Sequence, residues 1–159
     1  MSGVFEGNPY DIVYAAGHLL QLNAPNEMVD PNLAAKYADW QNLDNFPWNP
    51  LDLNWSKQVI KSKQRYIDNI KSNLPGHDVI IIASDNDPSG EGDVLGWEIV
   101  DYLNWQNEVW RIRFKGDDSA NYVIDSLHKP EKATVSEQDA QGILVKGKSR
   151  QRFDFLTGL

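Results

Sequence analysis

The stretch that decides the fold is Asp78-Val-Ile-Ile-Ile-Ala-Ser-Asp-Asn-Asp-Pro-Ser-Gly-Glu-Gly-Asp93. Its first half is almost continuously apolar and β-branched, which is typical of a strand buried within a parallel sheet. Its second half carries four carboxylates, at Asp85, Asp87, Glu91 and Asp93. Open α/β sheets place their ligands at the carboxyl ends of the strands. The stretch therefore predicts a buried strand over 79–84 that ends in a candidate cation site.

The spacing of these acids suits a magnesium ion. Asp85 and Asp87 can both reach one ion if the backbone turns, and Mg²⁺ binds through one or two carboxylates while it keeps several waters. Gly90 and Gly92 allow the backbone to approach closely, and a helix that begins near Glu91 would place N–H groups beside the site. Such an ion neutralises charge during phosphoryl transfer. The alternative interpretation is a solvated turn whose acids cap the helix.

Periodicity along the rest of the chain predicts strands that alternate with helices. The predicted strands are 12–16, 79–84 and 109–114, and the predicted helices are 56–73, 91–103, 117–127 and 149–156. Alternation in the third strand sends Arg111 and Arg113 outward, to a solvated or ion-paired face, with contact to a phosphate as the alternative. Residues 23–55 are rich in Pro, Asn and Trp, and we expect an ordered excursion whose tryptophans pack on the body. This order of elements predicts an α/β fold with a mostly parallel sheet and helices on both faces.

Length and composition restrict the class of protein. A chain of 159 residues suits one domain with its own core, and the absence of cysteine excludes disulfides and thiolate metal sites. We find no signal-peptide pattern and no apolar run that could span a membrane, so we expect a soluble, cytoplasmic protein. The net charge of −8 argues against a surface that is basic throughout. A local patch that binds nucleic acid is still compatible with this charge, among the basic residues of 57–71 or of 146–152. The alternative is that both groups of residues are solvated faces.

Four stretches in order resemble the type IA DNA topoisomerases. The pattern Asp85-x-Asp87-x-x-Gly90-Glu91 is similar to the D-P-D-R-E-G-E signature of their Toprim domain, a metal-binding fold that some primases and nucleases share. The other three stretches are Tyr14-Ala-Ala-Gly-His-Leu-Leu-Gln-Leu22, the segment from Trp40 to Pro50, and Ser149-Arg-Gln-Arg-Phe-Asp-Phe-Leu-Thr-Gly158. The resemblance spans nearly the whole chain and is nearest to the bacterial topoisomerase III-like branch.

The resemblance implies a function and a set of site residues. It implies a Toprim (Rossmann-like) domain in which Asp85, Asp87 and Glu91 hold Mg²⁺, with the two aspartates as the catalytic residues. The reaction would be transient cleavage and religation of one DNA strand, in a cytoplasmic enzyme associated with the nucleoid. The resemblance also places His18 and Arg150 at a single-stranded DNA segment. A buried, hydrogen-bonded histidine and an ion pair on a helix face are the respective alternatives.

Three departures from the family pattern qualify these expectations. Ser89 stands where the family has one of its acidic metal-site residues, so Glu91, or less favourably Asp93, would have to compensate. The family's glutamate on a leading strand has no counterpart, and none of the six tyrosines lies in the context of the family's nucleophile. We therefore expect residues 1–159 to be a single Toprim fragment that is inactive alone. A Toprim-type nuclease or primase-like enzyme, and a catalytically inactive module that binds DNA or metal, remain alternatives; the oligomeric state is left open.

Overall fold

The computed structural model describes residues 1–40, 42, 49–85, 87–114, 119–133 and 142–158, without the side chains of 113, 131–133 and 143. Its strands are β1 (Ser2–Phe5), β2 (Asn8–Asp11), β3 (Leu20–Leu22), β4 (Lys57–Val59), β5 (Val79–Asp85), β6 (Glu108–Phe114) and β7 (Glu131–Ala133). Its α-helices are α1 (Ala34–Tyr37), α2 (Gln64–Asn73), α3 (Glu91–Tyr102), α4 (Ala120–Leu127) and α5 (Ile143–Thr157). Short 3-10 helices lie at Pro25–Glu27, Pro50–Asp52 and Lys61–Lys63.

A three-stranded sheet of β5, β6 and β7 confirms the predicted α/β class. β5 and β6 run parallel, with Val79 opposite Glu108 and Asp85 opposite Phe114, and β7 pairs with β6 in the antiparallel direction. The other sheets among the described residues are antiparallel pairs, of β1 with β2 and of β3 with β4. The parallel pair brings the carboxyl ends of β5 and β6 to one edge, where the acidic loop begins.

Helices cover both faces of the parallel pair. α3 lies on the face of Ile82, so close that a Cβ on Gly96 would be 2.4 Å from Ile82 Cγ2. Ile82 is opposite Arg111 in register, three residues before Phe114, so Phe114 points to the other face. There its ring lies 6.5 Å from that of Tyr122 on α4. The core between β5, β6, α3 and α5 consists of Ile82, Val94, Trp97, Val100, Val109 and Leu144.

A second core cluster fixes the loop that precedes β3. Leu19, in that loop, is buried against Ile67 and Ile70 of α2. The two isoleucines lie within the segment 56–73 that the sequence predicts as a helix. Because Leu19 is anchored, the backbone of the neighbouring His18 is held close to the body of the protein.

Three predicted elements differ from the structure. The segment predicted as helix from residue 56 forms strand β4 first, and the α-helix begins only at Gln64, because β4 finds a partner in β3. The predicted strand over 12–16 is not regular structure; the N-terminal hairpin uses β1 and β2, joined at Glu6 and Gly7 with φ of 50° and 83°. Helix α5 also begins at Ile143 rather than at 149.

The outward orientation predicted for Arg111 is also wrong. Its side chain is 2% exposed and forms an ion pair with Asp93, which is 4% exposed. The alternation itself is correct, but the face that carries Arg111 is the one that α3 covers. A buried charge is tolerated when it is paired, so the acid at position 93 explains how this arginine can be inside.

Two contacts involve the described parts of the excursion over 23–55, one within it and one to α5. Tyr37 is completely buried, and its hydroxyl donates a hydrogen bond of 2.7 Å to Asp52. Trp55 packs edge-on against Phe155 of α5, with ring centroids 6.0 Å apart. In the part of the chain that the structure describes, no helix is long and apolar enough to cross a membrane.

Candidate functional site

The acidic loop leaves β5 at Asp85, whose side chain is exposed at the edge of the sheet. Asp87 is held by Ser89, which donates its backbone N–H at 2.8 Å and its hydroxyl to the two carboxylate oxygens. These hydrogen bonds, that of the hydroxyl first, lower the pKa of Asp87. Asp87 is therefore a preformed carboxylate, and Ser89 is the residue that fixes it.

Close packing of glycine backbone places α3 and α5 against this loop. Gly90, with φ of 80°, is the N-cap of α3. A Cβ on Gly92 would be 2.9 Å from the carbonyl oxygen of Asp85, and one on Gly147 would be 2.7 Å from that of Gly90. Lys146 of α5 also donates to the carbonyl oxygen of Pro88 at 2.8 Å. The loop is thus packed between β5 and two helices.

His18 lies between two glutamates of α3. Its Nε2 atom is 3.2 Å from Oε1 of Glu91, and its Nδ1 atom is 3.9 Å from Oε2 of Glu98. The glutamates are seven residues apart, which puts them on one side of the helix. The histidine therefore connects the solvent-facing start of α3 to a buried position two turns further on.

Glu98 is the centre of a buried polar network. Its side chain is 5% exposed, and Oε1 accepts hydrogen bonds from the ammonium of Lys57 and, at 3.2 Å, from the amide of Gln151. Lys57 also donates to the side-chain oxygen of Gln151. The loop of His18, strand β4, α3 and α5 thus meet at one carboxylate.

The pKa values of the network agree with paired charges. Interaction with Glu98 is the largest cause that raises the pKa of His18; burial opposes it, and Glu91 reinforces it. Burial would raise the pKa of Glu98, but the nearby His18 and the hydrogen bond from Lys57 outweigh burial and leave that pKa lowered. Burial lowers the pKa of Lys57 in spite of its bond to Glu98. The arrangement favours ionised Glu98 beside a histidine that is protonated more readily than usual.

The structure brings some of the predicted site residues together and separates others. Glu91 lies next to His18, whereas the carboxylate of Asp87 accepts hydrogen bonds from Ser89. Arg150 is exposed on α5, with Nε 3.6 Å from Asp154, and its positive charge contributes to the lowered pKa of Asp87. Among the described residues, no group of three or more His, Asp or Glu side chains is arranged to hold a metal ion. Asp85 and Asp87, with water molecules completing the coordination, are therefore the candidate ligands for Mg²⁺.

Sequence reasoning missed Glu98 and Gln151, and it included Lys57 only among the basic residues of a candidate nucleic-acid patch. The sequence did contain one signal, because Glu98 lies seven residues after Glu91 in a largely apolar helix. A carboxylate that is buried there needs a charged or hydrogen-bonding partner. No local pattern identifies that partner, because Lys57 lies 41 positions away in the chain.

Comparison with known proteins supports the family that the motifs suggested. The chain is 29% identical to DNA topoisomerase 1 of Bacillus anthracis over 157 residues, which is 99% of this chain and 16% of that protein. It is 32% identical to DNA topoisomerase 3 of Bacillus cereus over 111 residues, 70% of this chain and 14% of that protein, and equally similar to the topoisomerase 3 of Bacillus thuringiensis. No family model matches. The chain therefore spans about one-sixth or less of the length of these relatives.

Proposed function

Since this chain is a relative of the bacterial type IA DNA topoisomerases 1 and 3, we propose that it is the Toprim region of such an enzyme. In that role it supports transient cleavage and religation of one DNA strand in the cytoplasm, at the nucleoid. The proposal rests mainly on the acidic loop. Asp85 is the last residue of the parallel strand β5, and Asp87 lies between that strand and the N-terminus of α3. This is the edge at which α/β sheets place phosphate ligands.

The carboxylates of the loop fit Mg²⁺ in chemistry and number. Asp85 is exposed, Asp87 has a lowered pKa, and Mg²⁺ uses one or two carboxylates and completes its octahedron with water. Asp85 and Asp87 would hold the ion, with Glu91 assisting them. When bound, the ion would neutralise charge on the DNA phosphate. The residues of the chain itself orient the loop and supply the positive groups His18 and Arg150 around it.

A titration with MgCl₂, followed by amide NMR signals of the 159-residue chain, tests the metal site. Signals of the acidic loop should shift in the parent protein at millimolar Mg²⁺ and should not shift in Asp85→Asn. Asp101→Asn, on an exposed part of α3, removes the same charge elsewhere and should respond like the parent. If the signals of the acidic loop do not shift in the parent protein at millimolar Mg²⁺, the proposed metal site in this chain is contradicted.

A catalytically inactive module is the second candidate, and a specific observation favours it. Ser89 occupies the place of an acid of the family and uses both of its donors on Asp87. A serine there removes one carboxylate from the site, which weakens Mg²⁺ binding. The NMR titration separates the two candidates, because the inactive module predicts no saturable shift at millimolar Mg²⁺. In either case we expect the isolated chain not to relax supercoiled plasmid.

A further inference from the structure

We propose that Glu98 is a positioning residue that holds His18 with its Nε2 atom at the acidic loop, ready to meet a phosphate oxygen of DNA. The proposal rests on the proposed function for the identity of the ligand. For the role of Glu98 it rests on the buried network alone. Glu98 itself touches neither ligand nor loop; it acts through the histidine.

The burial of Glu98 shows that its carboxylate is fixed in place. Removing a carboxylate from water costs several kcal/mol unless partners replace the water. Here the partners come from two separate elements, Lys57 from β4 and Gln151 from α5, and both bind Oε1. The other oxygen, Oε2, is the one that faces His18.

The two ring nitrogens of His18 lie on different sides of the imidazole and have different surroundings. Nδ1 is buried, has no hydrogen-bond partner among the described residues and lies 3.9 Å from Oε2 of Glu98, which is an ion-pair distance, whereas Nε2 lies 3.2 Å from Glu91, whose side chain is 51% exposed. A carboxylate beside Nδ1 favours one orientation of the ring and a proton on Nδ1, and Nε2 donates as well when the ring is protonated and carries a hydrogen on each nitrogen. Leu19, buried in the second core cluster, fixes the backbone. Nε2 is thus the end of the ring that a ligand at the loop would contact.

The ligand chemistry that this donor suits is a phosphate oxygen. Protein–DNA hydrogen bonds to phosphate come from cationic side chains and from helix N-termini. His18 lies beside the first turn of α3, where both kinds of donor occur together. A phosphate would take the place of Glu91 as the acceptor for Nε2.

A double-mutant cycle with DNA tests the positioning role, because the alternative predicts the opposite sign. Removal of one negative charge from a protein of net charge −8 should strengthen binding to DNA if only long-range electrostatics acts. If Glu98 positions His18, Glu98→Gln should instead weaken binding of a fluorescent oligothymidylate about three- to tenfold, the effect of one hydrogen bond. Glu98→Gln should add little in the His18→Ala background. Asp101→Asn is the charge-matched control and should not weaken binding.

Ring ¹⁵N signals of the three histidines, recorded at one pH, give a readout that does not depend on DNA. Glu98→Gln should shift the ring signals of His18 and leave those of His77 and His128 unchanged. Gln151→Leu removes one partner of Glu98 without removing a charge and should shift His18 in the same direction, in case Glu98→Gln fails to fold. Unchanged His18 signals in a folded variant, or tighter DNA binding by Glu98→Gln, would overturn the inference. Failure of the parent to bind DNA would contradict the proposed function and the phosphate contact, while the ring signals still decide whether Glu98 holds His18.

Discussion

The acids that begin α3 point in different directions because of where they fall on the helix. Glu91 and Asp93 are two positions apart, roughly 200° around the axis. Glu91 therefore faces His18, whereas Asp93 faces the sheet and pairs with Arg111. Glu98, seven positions after Glu91, returns to the side of His18. The acidic stretch thus combines an exposed loop, a buried ion pair and a buried polar network.

Asp93→Ala tests the structural role of the buried pair. The change leaves the guanidinium of Arg111 inside the protein without its carboxylate, and loss of one partner of a buried pair costs about 3–5 kcal/mol. Urea unfolding, followed by circular dichroism, measures the loss. Asp101→Ala, in the exposed part of the same helix, is the control and should cost much less. A loss for Asp93→Ala no larger than that of the control would contradict the structural role.

His18→Gln should remove a part of the stability that depends on pH. The pKa of His18 is raised from 6.5, so its contribution is complete below pH 6.5 and is lost as the pH rises through the folded-state pKa. The pKa of Glu98 is lowered from 4.5, so its contribution is present above pH 4.5 and is lost as the pH falls through its folded-state pKa. The difference between parent and variant in the free energy of unfolding should therefore be largest between these two pH values. A difference that is constant from pH 4.5 to well above 6.5 would refute this account.

At the scale of elements, two glycines decide how closely α3 can be packed. Gly96 touches the side chain of Ile82 on β5, and Gly147 of α5 touches Val94 and the backbone carbonyl of Gly90. Side chains can be shortened by mutation, whereas a backbone carbonyl cannot. The two contacts should therefore respond differently to a compensating substitution.

Gly96→Ala and Gly147→Ala should each destabilise the protein by about 1–3 kcal/mol, because an added Cβ overpacks the interface. Ile82→Ala removes the Cγ2 atom that lies nearest to Gly96, so a double mutant with Gly96→Ala should lose less than the sum of the single losses. Val94→Ala should not rescue Gly147→Ala to the same degree, since the carbonyl of Gly90 remains. Equal rescue at both positions, measured by urea unfolding, would show that the contact with the carbonyl does not matter.

The sequence was sufficient for those elements whose signals are local. The sequence predicts β5, α3 and β6 within two residues of their bounds, because apolar runs, alternation and helical spacing are properties of neighbouring residues. The sequence wrongly predicts a helix at β4, because the strand pairing of β4 comes from β3, which is remote in the chain. The burial of Arg111 and the network of Glu98 depend in the same way on distant partners. The acidic loop could therefore be predicted, but the residues that support His18 could not.

At the scale of the whole molecule, the net charge of −8 sets a condition for any contact with DNA. An acidic protein can bind a polyanion only through a local patch of positive charge. α5 provides one next to the acidic loop, with Lys146 bonded to Pro88 and Arg150 one turn further on. DNA binding by this chain should therefore depend on a few cations rather than on the overall charge.

The dependence of DNA affinity on salt concentration tests this patch. Each phosphate neutralised on a single strand contributes about −0.7 to the slope of log affinity against log salt. Arg150→Gln should lower the magnitude of the slope by about that amount for an oligothymidylate. Lys71→Gln, near the amino end of β5 and so at the opposite end of the sheet, removes the same charge and should leave the slope unchanged. Equal changes in both variants would mean that overall charge controls binding, because a local contact at α5 cannot be altered by a substitution at the far end of the sheet.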